Sequence, residues 1–315
     1  MIASHSRIVD RALTRLKLRQ LRLLVAVGRH GNIQNAAREL SISQPAATKM
    51  IQDLEVDFEV KLFQRTNRGV IPTVFGKTLI RHGKLIFAQV SNAAQELDDL
   101  IEGSSGRVVI GTLLAASPEL LPAAIELLLA ERPKVAIRIS EGTNEVLMPT
   151  LLSGEIDMVV GRLPSHRYRD RIKQEKLYDD SITAVVGRQH PLADVASVSF
   201  AQTREFGWIL PPLDTTLRRQ VDQFFIRQQQ YSPPLAIESV SYLANRSLLQ
   251  SRDLIGLMPS DVVAKDIEYG ILSRLDWAVP IGQGPVGVSY RTEDSLSPAG
   301  RAFLQALHRA AASLR

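Results

Sequence analysis

Ser43-Gln44-Pro45-Ala46-Ala47-Thr48-Lys49-Met50-Ile51-Gln52-Asp53-Leu54-Glu55 is the stretch on which the reading of this chain turns. Ser43 can cap a helix by accepting a backbone N–H, and Pro45 is tolerated in a first turn, where its missing N–H costs nothing. Ala46, Met50, Ile51 and Leu54 recur at helical spacing and are expected to form the buried face. Gln44, Thr48, Lys49 and Gln52 are then left outside it. Upstream, residues 32–40 read as a shorter helix capped by Asn32, and the small pair Ala36-Ala37 would let another helix come close. Ser41-Ile42 is the turn between the two. Before Gly31, a helix stop, Leu18, Leu21, Leu24, Val25 and Val27 give residues 18–28 one apolar face. Such a set makes a helix-turn-helix, whose last helix can enter a DNA major groove. Two short helices on their own are more commonly plain packing.

Leu62-Phe63 supplies apolar anchors, and Arg65-Thr66-Asn67-Arg68-Gly69-Val70 reads as a short basic hairpin, or wing. Charge agrees with a polyanion partner. Residues 1–72 hold twelve Lys/Arg and six Asp/Glu, whereas the rest of the chain holds 26 basic and 27 acidic groups. A basic front on a neutral body separates a nucleic-acid module from a module with another task. Gln44, Pro45, Thr48 and Lys49 are the expected groove contacts, with Ser43 beside them; Gln pairs with adenine, Lys meets guanine and Thr meets a base or a thymine methyl. Arg65 and Arg68 suit phosphate or the minor groove. Gln34 and Asn35 are expected to help on the backbone.

The wording SISQPAATKMIQDLE followed by KLFQRTNRGVIPTVFG resembles the signature of LysR-type transcriptional regulators. The resemblance runs along nearly the whole chain and is most specific in its first hundred residues. RTNRGVIPTVFG and EGTNEVLM are similar to the branch that regulates aromatic-acid catabolism and sugar uptake. Two departures stand out: Thr48-Lys49 replaces the usual Ser-Arg, and Glu59 stands where the family usually has a glycine. The resemblance implies a bacterial, cytoplasmic DNA-binding regulator, not an enzyme, that works as a homodimer or homotetramer on double-stranded promoter DNA. It also implies a small-molecule effector and makes RNA polymerase a candidate partner. Ligand binding would alter oligomer geometry on the promoter.

The expected fold class is α/β with an all-α, winged N-terminal domain. A winged helix-turn-helix at 1–72 is followed by a linker helix and hinge at 73–106 and an effector domain at 107–315. In the linker, Leu79, Gly83, Ile86, Val90, Ala93, Leu97 and Leu100 alternate in steps of four and three, a coiled-coil seam. The alternative is a helix packed on its own domain; the resemblance favours pairing with a second chain. Glu102-Gly103-Ser104-Ser105-Gly106 breaks the helix. Beyond it, strand candidates near 108, 136, 157, 182, 208, 236, 254 and 286 alternate with helix candidates, which argues for parallel sheets. The resemblance implies two lobes like a type 2 periplasmic binding protein, lobe one at 107–162 plus 281–315 and lobe two at 170–275.

Open α/β sheets bind ligands beyond the carboxyl ends of their strands. Those ends are Thr112–Ser117, Gly142–Asn144, Gly161–Leu163, Pro211-Pro212, Ser239–Tyr242 and Pro259. Ser117, Thr143, Asn144, Arg162 and Ser239 are the candidate effector contacts: Thr143 and Ser117 as hydroxyls at helix N-termini, Arg162 as a planar fork for an anion. Routine helix caps and a surface arginine are the alternatives. Leu114-Ala115 is apolar where several aromatic-acid regulators carry a serine or threonine. The expected effector is a small organic anion, aromatic or sugar-derived.

Other chemistry finds no support. There are no cysteines, so disulfides and thiolate sites are excluded. The six histidines are scattered, and no nucleophile elbow or phosphate loop occurs. Gly282-Gln283-Gly284-Pro285-Val286-Gly287 matches a dinucleotide fingerprint only in spelling, since it precedes a strand and contains a proline. No cofactor is called for. No apolar run nears the ~20 residues of a membrane span, and the front lacks a signal-peptide pattern. That opposes an exported transport-type binding protein. An α/β enzyme with an accessory helical domain remains the alternative function.

Overall fold

In a computed structural model, the structure describes residues 13–67, 69–102, 105–164, 168, 171–227, 234–277 and 284–314. Two compact units divide at Ser91, with Ser153–Glu155 grouped with the first.

The first unit begins with α1 (Leu18–His30), α2 (Ile33–Glu39) and α3 (Gln44–Phe58), then the hairpin β1 (Phe63–Thr66) and β2 (Gly69–Pro72). Asn32 Oδ1 accepts from the N–H of Gln34 at 2.8 Å and of Asn35 at 3.1 Å, so it starts α2. Ser43 Oγ accepts from the Ala46 N–H and starts α3. Ala36, Ala37 and Ala47 are essentially fully buried, which lets the three helices close on one another. Ala47, not the expected Ala46, faces the core; Ala46 is exposed. The helix is rotated slightly from the simplest periodic reading because Ala47, Ile51 and Leu54 already make a 4–3 stripe.

The wing is latched at its base. The Val70 N–H donates to the Gly31 carbonyl at 2.8 Å. Gly69, at φ 137°, lies so close that a Cβ there would come within 2.3 Å of the same oxygen. Glu55 holds the other end: its Oε1 accepts from Leu62 N at 2.9 Å and Phe63 N at 3.4 Å, while Lys61 Nζ lies 2.7 Å from Oε2. Burial opposes the Glu55 charge, but these partners outweigh it and hold its carboxyl below the usual glutamate range.

Helix α4 (Val74–Glu102) follows. Leu79, Ile80 and Phe87 pack on the helix-turn-helix core. A Cβ on Gly83 would meet Val25 Cγ2 at 3.2 Å. The front of the expected seam is therefore spent on the chain's own α1, because Gly83 brings that helix close. Ile86, Val90, Ala93 and Leu97 are exposed. The Leu100 side chain, Gly103 and Ser104 lie outside the described residues, and Ser105 and Gly106 already belong to the next strand.

The second unit has two five-stranded sheets. The first contains β3 (Ser105–Thr112), β4 (Lys134–Glu141), β5 (Met158–Arg162), β6 (Lys173–Asp180) and β12 (Gly284–Tyr290), in the order β4-β3-β5-β12-β6. Helices α5 (Leu120–Glu131) and α11 (Pro298–Ser313) share one core with this sheet, while α6 (Asn144–Leu152) supplies Leu147, Met148 and Leu151 to another. The second sheet contains β7 (Ile182–Gly187), β8 (Gly207–Leu210), β9 (Leu235–Glu238), β10 (Leu254–Pro259) and β11 (Leu272–Arg274), in the order β11-β7-β10-β8-β9. Short α7 (Phe200–Thr203) and α8 (Thr216–Arg227) meet Trp208 in one core. Residues of α9 (Tyr242–Ser251) and α10 (Ser260–Glu268) join the other.

Both sheets are mixed, not parallel. β12 runs antiparallel to β5 and β6, and β7 runs antiparallel to β10 and β11. The expected lobe boundary at 170 is also corrected. Residues 173–180 pair with β12 and belong to the first lobe, so the chain passes to the second sheet at Ser181. KQEKLYDD carries too much charge to read as a strand, yet it is an edge strand, where charge blocks further pairing.

Glu59 ends α3 at φ 55°, ψ 30°, in the left-handed region. A side chain there costs about 1 kcal/mol relative to glycine. Glu59→Gly is expected to raise the thermal midpoint of the helix-turn-helix unit by roughly 4 °C. A lower midpoint with unchanged helicity would contradict that account of the turn.

Candidate functional site

Nearly all the described residues expected on DNA are exposed to solvent. Gln34, Asn35, Ser43, Gln44, Pro45, Lys49 and Arg65 are all exposed, and Thr48 is half-buried. Gln34 and Asn35 lie in the first turn of α2, Gln44 and Pro45 in the first turn of α3, and Thr48 and Lys49 in its second turn. Arg65 sits in β1 opposite Val70. Arg68 lies outside the described residues.

The second unit contains a cavity of about 580 Å³ between its two sheets, within the ~300–1,000 Å³ usual for small-ligand sites. Ser117, Thr143, Asn144, Arg162 and Ser239 all line it. Each group of strand ends named from the sequence contributes to its wall, because the carboxyl ends of both sheets open toward the same space. Leu113, Leu114, Ile209, Leu257 and Met258 make its apolar surface. Gly161, at φ 145°, lets β5 pass beside Leu113; a Cβ there would approach Leu113 Cβ to 2.5 Å.

Some individual roles differ from expectation. Ser117 does not start a helix: it ends a 3₁₀ turn, its Oγ donates to the Leu113 carbonyl at 3.3 Å, and α5 begins only at Leu120. Pro118 and Glu119 delay that start. Thr143 immediately precedes α6, and its carbonyl accepts from Val146 and Leu147. Asn144 is buried, and its Nδ2 donates to the Arg162 carbonyl at 3.1 Å. Arg162 is not a surface arginine. It is buried, donating through Nη2 to the Asp180 carbonyl at 3.0 Å and through Nη1 to Gln220 Oε1 at 3.4 Å.

Several lining residues escaped the sequence reading. Asn245 is buried in α9 on the cavity wall. Glu145 reaches from α6 to Arg219 of α8, Nη2 to Oε1 at 3.2 Å. Only the position of Asn245 early in a helix that follows a strand could have flagged it. The pairing of residues 74 apart had no local signal. Among the described residues, no cluster could hold a metal ion and no helix is long and apolar enough to cross a membrane.

Residues 18–77 match the model of the bacterial regulatory helix-turn-helix protein, lysR family, and residues 102–312 match the LysR substrate binding domain. The chain belongs to the LysR family. It is similar to the HTH-type transcriptional regulator GbpR of Azospirillum brasilense, 32% identical over 94% of this chain and 87% of that one. It is also 31% identical to PcaQ of Agrobacterium fabrum, over 95% and 96% of the two chains. Among solved structures, CbnR, a LysR family transcriptional regulator, covers 94% of this chain and 99% of its own at 20% identity, with a TM-score of 0.66, a likeness of fold. This chain is therefore a DNA-binding transcriptional regulator with a substrate-binding effector domain. These relatives are regulators, and the reading as an α/β enzyme falls away.

Two predictions concern the cavity wall. Gly161→Ala is expected to cost about 1–3 kcal/mol through backbone strain and to displace Leu113; an unchanged urea midpoint would contradict it. Asp180, whose Oδ2 lies 3.9 Å from Arg162 Nη2, is pushed up to about 6 by burial, then by the Asp261 charge, with Arg162 opposing. Its folded form thus holds the proton more tightly than the unfolded chain. That contribution to stability is present below about pH 4 and is lost as pH rises through about 6. On acidification from about pH 7 to about pH 5, wild type should gain stability relative to Asp180→Asn. Parallel urea midpoints across that range would refute the assignment.

Proposed function

We propose that this regulator reads promoter DNA with the first two turns of α3 and the wing, and that a small metabolite in the effector cavity governs how its copies pair on that DNA. The observation that carries the reading is the exposure of Gln44, Pro45 and Lys49 in the first two turns of α3, together with exposed Arg65 of the wing. Ser43 and Thr48 complete the groove set, Gln34 and Asn35 serve the backbone, and Arg68 joins Arg65 on phosphate or in the minor groove. Ser117, Thr143, Asn144, Arg162 and Ser239 belong to the metabolite site.

A homodimer through α4 fits the exposed Ile86, Val90, Ala93 and Leu97, with Ile101 81% exposed beyond them. These residues repeat at steps of three and four, and an apolar stripe left in water favours a partner. Two-fold pairing doubles the DNA contact that one helix-turn-helix provides. A tetramer of two such dimers would let ligand change the spacing of the DNA-binding heads. Coupling of ~1–3 kcal/mol suffices. RNA polymerase is a fitting further partner, and the bacterial cytoplasm is the fitting compartment for a DNA-bound regulator.

Gel shifts on the upstream intergenic DNA at varied salt test this. Lys49→Ala is expected to cost ~1–3 kcal/mol on the specific site and little on random DNA. Arg65→Ala should weaken both alike and reduce the salt slope by about one. Equal behaviour of the two variants, or flat weak binding by the folded wild type, would overturn the proposed contacts.

A further inference from the structure

We infer that Glu145 and Arg219 form a latch between the two lobes of the effector domain, which holds the cavity shut and must open for a metabolite to enter or leave. Its regulatory meaning rests on the reading of the cavity as the metabolite site; the latch itself does not.

The two residues come from different lobes. Glu145 lies in the first turn of α6, and Arg219 lies near the start of α8. Arg219 Nη2 reaches Glu145 Oε1 at 3.2 Å. The next residue of α8 repeats the crossing: Gln220 Oε1 accepts from Arg162 Nη1 of β5 at 3.4 Å. Glu145, Arg162 and Thr216 all line the cavity, so these bonds join the lobes at its wall.

Each half of the latch is mounted on the core of its own lobe. α6 buries Leu147, Met148 and Leu151 in the first lobe. α8 buries Val221 and Phe225 beside Trp208 in the second. Strain on the pair is therefore carried by whole lobes. Arg219 is also aimed by its own helix start, since Nη2 donates to Thr216 Oγ1 at 3.2 Å and Nη1 donates to the Asp214 carbonyl. Arg162 is clamped from behind: the Asp180 carbonyl accepts from it, and a Cβ on Gly284 would lie 3.0 Å from its Cζ. The chain passes between the lobes at Ser181, whose carbonyl accepts from the Ser260 N–H at 2.9 Å. Two rigid bodies joined by such a crossing open by hinge rotation.

The strength of the pair suits a gate. The Arg219 side chain is 46% exposed, so water reaches the pair and salt screens it. Such a pair biases the balance of open and closed lobes without freezing it. A ligand that touches both lobes gains its full contacts only when they are closed, and so shifts the balance further the same way.

The chain has no cysteine, so two introduced ones carry unique labels. Spin labels are placed at Arg138→Cys in β4 and Ser247→Cys in α9, both exposed and one in each lobe. The labelled full chain is mixed with excess unlabelled chain, so that distances within one copy dominate. Pulsed dipolar spectroscopy at low salt should show mainly one short distance. Glu145→Gln and Arg219→Gln should each raise the population at longer distance about two- to fivefold, the change that an ion pair of this exposure supports. Sodium chloride at about 1 M should produce the same shift in the parent and add little in Glu145→Gln. Distances in both glutamine variants that match the parent overturn the inference, as does an equal response to salt in the parent and Glu145→Gln. Should a variant misfold, the salt series on the parent decides, and an unchanged distance there overturns the latch. No ligand enters these measurements, so their failure leaves the metabolite reading intact. A working latch around a cavity that no metabolite stabilises in thermal unfolding would sink that reading instead.

Discussion

Strand β12 enters the first sheet from the far end of the chain and pairs with β5 on one side and β6 on the other. Both pairings are antiparallel, and Val286, Val288 and Tyr290 carry its buried face into the core of α5 and α11. A Cβ on Gly287 would meet the Glu175 carbonyl at 2.0 Å, so the strand fits only because that position is bare. Without β12, β6 would have no partner in the sheet, and the crossing at Ser181 would lose its anchor. The cavity lies where strand ends of both sheets meet.

The wall of that cavity is built by burial of polar groups, which is costly unless they are partnered. Arg162 and Asp180 answer one another; Asn144 reaches the Arg162 carbonyl; Glu145 reaches Arg219. The same low-dielectric surroundings raise the Asp180 carboxyl. The apolar stretch around Leu113, Ile209 and Met258 supplies area, and the few polar atoms supply selection.

The DNA-binding unit follows a different economy. Its core is made mainly of alanines and leucines at close helical approach. The wing is held at both ends, by the Gly31 carbonyl and by the Glu55 carboxylate, so that Arg65 is carried on a fixed hairpin. Gly69 is needed because the approach to Gly31 leaves no room for a Cβ.

Local chemistry made much of this legible. Asn32 and Ser43 announce helix starts, Gly31 a stop, and the period of the apolar residues places α1 to α4 and most strands of the effector domain, because those signals act within a few residues of themselves. Strand ends located the cavity wall for the same reason. Long-range pairing decided the rest. KQEKLYDD becomes a strand only beside β12, Gly83 is committed to α1 only once the helices meet, and Ser117 ends a turn because Leu113 offers its carbonyl. Asn245, Glu145 with Arg219, and the neutralisation of Arg162 by Asp180 join residues far apart in sequence. No local period or cap can encode such partners, since their energy appears only when the two sheets are folded and water is gone.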